Sequence, residues 1–317
     1  MSNLIGEGNY RYEATIEWAK LPHGITFKET PGVAVDSEDT VFLLTRNQEH
    51  PVMVFSREGE FIQSFGAGTF SERTHGILIT PDQELLCVDD GSHTITRWSR
   101  NGDLLQTIGT PFEPAPAWSG TPFNRPTHAA ISPVNGDIYI TDGYGNSRVH
   151  RFTPAGEHVL SWGEPGIDAG QFIRPHNIAI DEKNRIYIAD RESHRVQIFD
   201  ENGSFITMWN NIHRPDGLTL APDGNIYIGE LNGMGGMEGA PNLGHRVSVY
   251  NQEGERLAVF GEREEGVSAG HFIAPHGIAV DSHLDIYVGE VSFTIHGRHL
   301  DPPQEVKSFT KLIRLNS

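Results

Sequence analysis

Three histidines of this chain have the type and spacing to do chemistry together. His75 stands in Arg-Thr-His-Gly-Ile, His176 in Arg-Pro-His-Asn-Ile and His276 in Ala-Pro-His-Gly-Ile, separated by 101 and 100 residues. Neutral imidazole suits zinc and neighbouring transition metals, and three protein ligands leave positions on the ion open for a substrate. The surrounding sequence repeats at about half the histidine spacing, so every second unit offers a histidine at the same point. In a closed ring of such units the three imidazoles converge on the axis.

The elements that must position them are short strands. In the middle of the chain, Ile173–Asp181, Arg185–Asp190, Arg195–Asp200 and Ser204–Trp209 are alternating or apolar runs separated by Asn, Asp and Gly turn signals. Four strands in about 40 residues is the size of one propeller blade. Six such units begin near Pro31, Arg73, Arg125, Arg174, Arg214 and Ala274. The last has three clear strands, ending at Lys311–Leu315, while Tyr12–Trp18 has a strand pattern and no unit of its own. Residues 1–20 are therefore expected to supply the missing outer strand and close the ring, which leaves no blade with an unmatched face. The expected fold is all-β, a six-bladed β-propeller in one domain over residues 1–317, and 35 glycines and 19 prolines fit its many turns.

Composition narrows the function. A formal charge of −18 speaks against a nucleic-acid partner, which needs a basic face. No run of about 20 apolar residues predicts a membrane span. The N-terminus has no basic region followed by an apolar one, so a cytoplasmic location is expected. The single cysteine, Cys87, lies in the apolar run Leu85–Val88 and reads as a buried core thiol. The expected partner is a small-molecule or peptide-like substrate.

Strand geometry places further candidates. The second strand of each unit runs antiparallel to the first, so its end returns to the face where the first begins. The residues just after it include Arg46, Tyr144 and Arg191. The intervening units carry Pro31, Thr127 and Asp216 in place of histidine, so histidine is no general rule of the repeat. His93, His194 and His245 all precede a third strand and read as structural. His128 lies one residue past the key position, and His23 precedes the first repeat. Two insertions, 231–244 and 292–310, follow second strands and should overhang the same face. Met234, Met237, His296 and Arg298 are their candidate substrate-lid residues.

The units resemble NHL repeats. From about Gly32 to Leu315 the chain resembles peptidyl-α-hydroxyglycine α-amidating lyase, most specifically in Asp142-Gly-Tyr-Gly-Asn-Ser-Arg-Val149, in Ala189-Asp-Arg-Glu-Ser193 and in the order of the three histidine segments. The resemblance implies a catalytic zinc on His75, His176 and His276, a catalytic tyrosine at Tyr144, and active-site arginines at Arg46 and Arg191. It also implies a structural calcium on backbone carbonyls at Val33 and Ile77 and on an aspartate after the third histidine. Gly277 stands in place of that aspartate, which argues against the calcium. A cysteine of the secreted members is Gly145 here, in keeping with a reducing compartment.

The implied reaction is cleavage of the C–N bond of an α-hydroxyglycine-type carbinolamide to an amide and a glyoxylate-like aldehyde, on a substrate that need not be a peptide. Two other readings compete. A metal-bound hydroxide on the same propeller would open a lactone or ester. A non-catalytic NHL propeller would serve as a binding scaffold, with little use for three convergent histidines.

Overall fold

The computed structural model describes residues 3–233, 237, 240 and 242–315. The described residues form six antiparallel sheets, the blades of a six-bladed β-propeller. The chain divides into two compact units, residues 66–215 and residues 1–65 with 216–317.

Residues 66–215 contain the second, third and fourth blades. Their strands are Thr74–Ile79, Leu85–Asp89, Thr94–Trp98 and Leu104–Ile108; His128–Ile131, Ile138–Asp142, Arg148–Phe152 and His158–Trp162; and Pro175–Ile180, Ile186–Asp190, Arg195–Phe199 and Phe205–Trp209. Every residue of the three second strands is buried, while the fourth strands are largely exposed. A strand covered on both faces is apolar through most of its length, which is why Ile-Tyr-Ile recurs there and Leu-Leu-Cys-Val stands in the second blade, with the buried Asp89, Asp142 and Asp190 at the strand ends. Cys87 is among them, fully buried, with its thiol pushed up by desolvation and then by Asp89.

The other unit holds the first blade (Gly32–Val35, Val41–Leu44, Val52–Phe55, Phe61–Phe65), the fifth (Pro215–Leu220, Ile226–Glu230, Arg246–Tyr250, Arg256–Phe260) and the sixth. The sixth is five-stranded, in the order Leu4–Ile5, Tyr12–Thr15, Phe309–Arg314, Ile286–Glu290, Pro275–Val280. The N-terminal segment thus closes its blade by antiparallel pairing with the last strand, Tyr12 opposite Arg314 and Thr15 opposite Lys311. Two details differ from expectation. A second N-terminal strand, Leu4–Ile5, extends the sheet. The closing strand also stops at Thr15, because Trp18 turns into a cluster with Val33, Phe55, Tyr287 and Phe309, its indole N–H donating to the Arg57 carbonyl at 2.8 Å. Tyr12 and Ala14 are fully buried by the closure, and burying a large side chain stabilises by about 1.5–3 kcal/mol.

The last strand starts at Phe309, which pairs with Gly289, so the second insertion ends at Ser308 rather than Thr310. No helix among the described residues is long and apolar enough to cross a membrane.

Candidate metal centre and substrate face

Each of the three histidines sits at an irregularity of its strand. Thr74 opposes Asp89 but Gly76 opposes Val88, leaving His75 as the extra residue. The same shift falls at His176–Asn177, between Pro175 and Ile178, and at His276, between Pro275 and Gly277. These first strands have six residues against five in their partners. The first strands of the first and third blades have four residues and a regular register. A bulge turns a side chain out of the alternation of the ladder, and here it re-aims an imidazole.

All three imidazoles are buried and held at Nδ1. His75 Nδ1 lies 2.6 Å from the Thr127 carbonyl, His176 Nδ1 3.0 Å from Asn177 Oδ1, and His276 Nδ1 2.7 Å from the Pro31 carbonyl. A carbonyl oxygen only accepts, so each Nδ1 carries the proton and each Nε2 presents a lone pair. Thr127 and Pro31, the residues standing where histidine is absent, thus orient the histidines of other blades.

Within residues 66–215 the Nε2 atoms meet at one phenol. Tyr144 Oη lies 3.0 Å from His75 Nε2 and 3.2 Å from His176 Nε2, with the two imidazole centroids 4.7 Å apart. Two imidazole nitrogens presenting lone pairs to one phenol oxygen form a donor set that suits a cation. Tyr144 is set by its neighbours. Asp142 accepts from the Asn124 N–H and the Asn146 amide and ties down the loop. A Cβ at Gly143 would come within 1.9 Å of the Pro175 carbonyl, and one at Gly145 within 2.0 Å of Asn124 Oδ1, so both flanking positions require glycine.

Arginines surround the ring. The guanidinium carbons of Arg125, Arg174 and Arg191 lie 4.7, 5.3 and 5.5 Å from its centroid, and Arg191 Nη1 donates to Oη at 3.4 Å. They are placed by a backbone bond that recurs from blade to blade. The N–H of the residue leaving the second strand donates to the carbonyl of the residue two before the key position: Arg46 to Glu29, Asp90 to Arg73, Tyr144 to Arg125, Arg191 to Arg174 and Val291 to Ala274. The pairing puts two side chains side by side in each of these blades. In the second, Arg73 makes a bidentate bond to Asp90, at 2.6 and 2.8 Å. In the fourth the partners are like-charged, and Glu192 accepts from Arg191 and, bidentately, from Arg214. Burial would raise the Glu192 pKa, but Arg214 and Arg191 outweigh it and hold the carboxyl down to about 2.

In the other unit, Arg46 is buried and its guanidinium donates to Glu29 and to Thr294. Thr294 also donates to Glu29 through its backbone N–H, from the short helix Ser292–Ile295. The second insertion is therefore built onto the Arg46–Glu29 pair. Leu231, which opens the first insertion, packs with Ile273, Ala274, Val291, Ile295 and Val306. His296 pairs with Glu265 at 2.8 Å, and Arg298 Nε lies 3.1 Å from His299 Nε2, both exposed. Met237 is exposed, and Met234 lies outside the described residues. A Cβ at Gly277 would approach the Pro31 carbonyl to 2.8 Å and Val33 N to 2.9 Å, so an aspartate there requires Gly32–Val35 to shift. Val33 and Ile77 are paired strand residues in separate blades.

The remaining histidines behave structurally. His93 and His194 accept at Nδ1 from the backbone N–H groups of Arg125 and Arg214, at 3.1 and 3.3 Å. His245 is buried with Nε2 3.2 Å from the Arg263 carbonyl, and His23 is exposed. His128 is half-buried, and desolvation, then His176, holds its pKa down to about 4.

Residues 123–152 and 172–199 match the NHL repeat. Human NHL repeat-containing protein 3 is 30% identical over 237 residues, covering 70% of this chain and 67% of that protein. The chain belongs to the NHL-repeat family. Peptidyl-alpha-hydroxyglycine alpha-amidating lyase 1 of Drosophila melanogaster is 31% identical over 241 residues, 69% of this chain; the match spans 42% of that longer protein. Among solved structures, a streptogramin B lyase superposes with a TM-score of 0.64 over 96% of this chain and 99% of its own, at 14% identity, a likeness of fold. Arg73, Arg125 and Arg174 are the site residues that motif reading passed over. Their signal was present, since the NHL units in this chain begin with arginine four times in succession.

Proposed function

We propose that this NHL propeller is a metal-dependent lyase that splits a carbinolamide, N–CH(OH)–R, of the α-hydroxyglycine type into an amide and an aldehyde. The observation carrying this reading is the convergence of two Nε2 lone pairs and a guanidinium on Tyr144 Oη. In this reading His276, which stands at the same repeat position and is held at Nδ1 by a backbone carbonyl as His75 is, serves as the third ligand beside His75 and His176. Three neutral imidazoles with their Nδ1 protons locked fit zinc or a similar divalent transition metal. Bound there, the metal supplies Lewis-acid polarisation of the carbinol oxygen. The 31% identity to an amidating lyase supports this choice among metal chemistries.

The residues of the chain then do the following. Tyr144 Oη takes the carbinol proton, and the cations around it stabilise the negative charge it needs to do so. The O–H electron pair becomes the second carbonyl bond, the C–N pair leaves with nitrogen, and nitrogen recovers the proton. No water and no redox partner is consumed. Arg191 holds the carboxylate next to the carbinol carbon and keeps that carbon beside Tyr144.

Elemental mass spectrometry of wild type and His176→Ala tests the metal. One transition metal per chain, lost in the variant, is expected; a metal-free wild type after zinc reconstitution at neutral pH ends the proposal. Turnover of N-acyl-α-hydroxyglycines in H₂¹⁸O tests the reaction. Elimination leaves the amide free of solvent oxygen, whereas hydrolysis of the acyl bond places it in the released acid.

A further inference from the structure

The charge around Tyr144 exceeds what the proposed reaction needs. Arg73, Arg125, Arg174, Arg191 and Arg214 are joined there by two pairing carboxylates, Asp90 and Glu192. The carboxylates behind them are already engaged: Asp89 by the N–H groups of Ser71 and Gly91, Asp142 by Asn124, and Asp190 by Ile173, Arg174 and Arg195. Arg73, Arg191 and Arg214 hold the close ion pairs. The ion contacts of Arg125 and Arg174 are longer, 3.3 Å to Asp90 and 3.5 Å to Glu192. Both side chains are 37% exposed, both lie over the Tyr144 ring, and the chain around them carries a net charge of −18.

Arg125 is also held at some cost. Its φ of +64° is in the left-handed region that non-glycine residues avoid, and His93, itself at +61°, fixes it by accepting its N–H. Arg174 has its basicity lowered by burial and then by the like charge of Arg191. A second anion beside these two groups offsets the like charge that Arg191 imposes on Arg174, while the fixed backbone holds Arg125 in place to meet it.

We infer that Arg125 and Arg174 form a clamp for a second anionic group of the substrate, so that the molecule turned over is a small dicarboxylate-type carbinolamide. The clamp rests on the reading of the Tyr144 face as the substrate site. Arg191, with Nη1 on Tyr144 Oη, serves the carboxylate at the reacting carbon. Arg125 and Arg174 serve a carboxylate on the nitrogen-side group that leaves as amide. Planar guanidinium groups take carboxylates bidentately, which lysines at these places would not reproduce.

Binding separates this inference from the lyase itself. Titration calorimetry on chelator-treated protein would compare succinate and glutarate with acetate, for wild type, Arg125→Gln and Arg174→Gln. At least tenfold tighter binding of one dicarboxylate than of acetate is expected. Each arginine variant should lose most of that margin. Equal binding of acetate and both dicarboxylates, or arginine variants that bind as wild type does, would overturn the clamp. Should a glutamine variant fail to fold, Arg125→Lys and Arg174→Lys retain the charge and lose the fork, and are expected to lose at least threefold. On the active protein, N-succinyl-α-hydroxyglycine should exceed N-acetyl-α-hydroxyglycine in kcat/KM by tenfold or more. Equal values with turnover intact remove the clamp and leave the lyase. Dicarboxylate binding without turnover removes the lyase and leaves the clamp.

Discussion

Arg46 and Arg191 occupy the same place in their blades, and their surroundings are opposite. Each donates its backbone N–H to the carbonyl of the residue two before the key position, both at 3.0 Å. For Arg46 that residue is Glu29, so the guanidinium meets a buried carboxylate inside its own blade. For Arg191 it is Arg174, and the pair carries surplus charge that Glu192 only partly offsets. One repeat position thus makes a structural ion pair in one unit and a cationic face in the other. The residue across the backbone bond, more than the arginine, decides which.

The largest effect expected from this contrast is on turnover. Tyr144→Phe should keep the metal and lower kcat by about 10²–10⁴, the range for a positioned acid–base group. Steady-state kinetics with metal analysis checks it, and unchanged turnover takes the proton-transfer role away from Tyr144.

Stability should show the next effect, confined to the Arg46 side. Arg46→Met leaves the Glu29 carboxylate buried with Thr294 but without a cation, which costs about 3–5 kcal/mol. Denaturant unfolding should show that loss, with most of it recovered in Arg46→Met/Glu29→Gln. Arg191→Met should change stability far less and kcat/KM far more. A similar profile for the two single variants would erase the distinction drawn here.

The smallest effect concerns acid. Glu192 has a folded pKa of about 2, below its ordinary value of 4.5. A depressed carboxylate contributes stability that is fully present above the unfolded pKa and is lost as pH falls through the folded one. The wild type should therefore lose stability between pH about 4.5 and 2, and Glu192→Gln should lose less over that window. Parallel melting curves for the two proteins would contradict this assignment.

Much of this architecture is legible in the residues themselves. The six units, the closing segment and the three histidines follow from period and spacing, because each blade repeats the same burial gradient. Arg46, Tyr144 and Arg191 follow from strand direction. Three features escape such reading because they depend on partners across the sheet. The bulge at each histidine exists only relative to a second strand one residue shorter. The neutralisation of Arg46 needs the pairing with Glu29 across 17 residues of chain. Arg125 and Arg174 look like turn residues until the fold brings both onto the Tyr144 ring. Leu4–Ile5 was hidden for a different reason: two residues are too few to show a strand period.

The extra residue in the histidine-bearing strands makes chain length part of the ligand specification. Deleting one residue between Thr74 and Ile79 would even the strand with its five-residue partner and return position 75 to the ladder, where the pleat sets its direction. The imidazole would survive in composition and vanish as a donor. In the first and third blades, whose first strands have four residues, gaining a metal ligand takes an insertion as well as a substitution; in the fifth, where Pro215–Leu220 already has six residues against five in Ile226–Glu230 and carries Asp216, it takes a substitution alone. Position-by-position comparison of the blades, which slides over a one-residue gap, will miss such events.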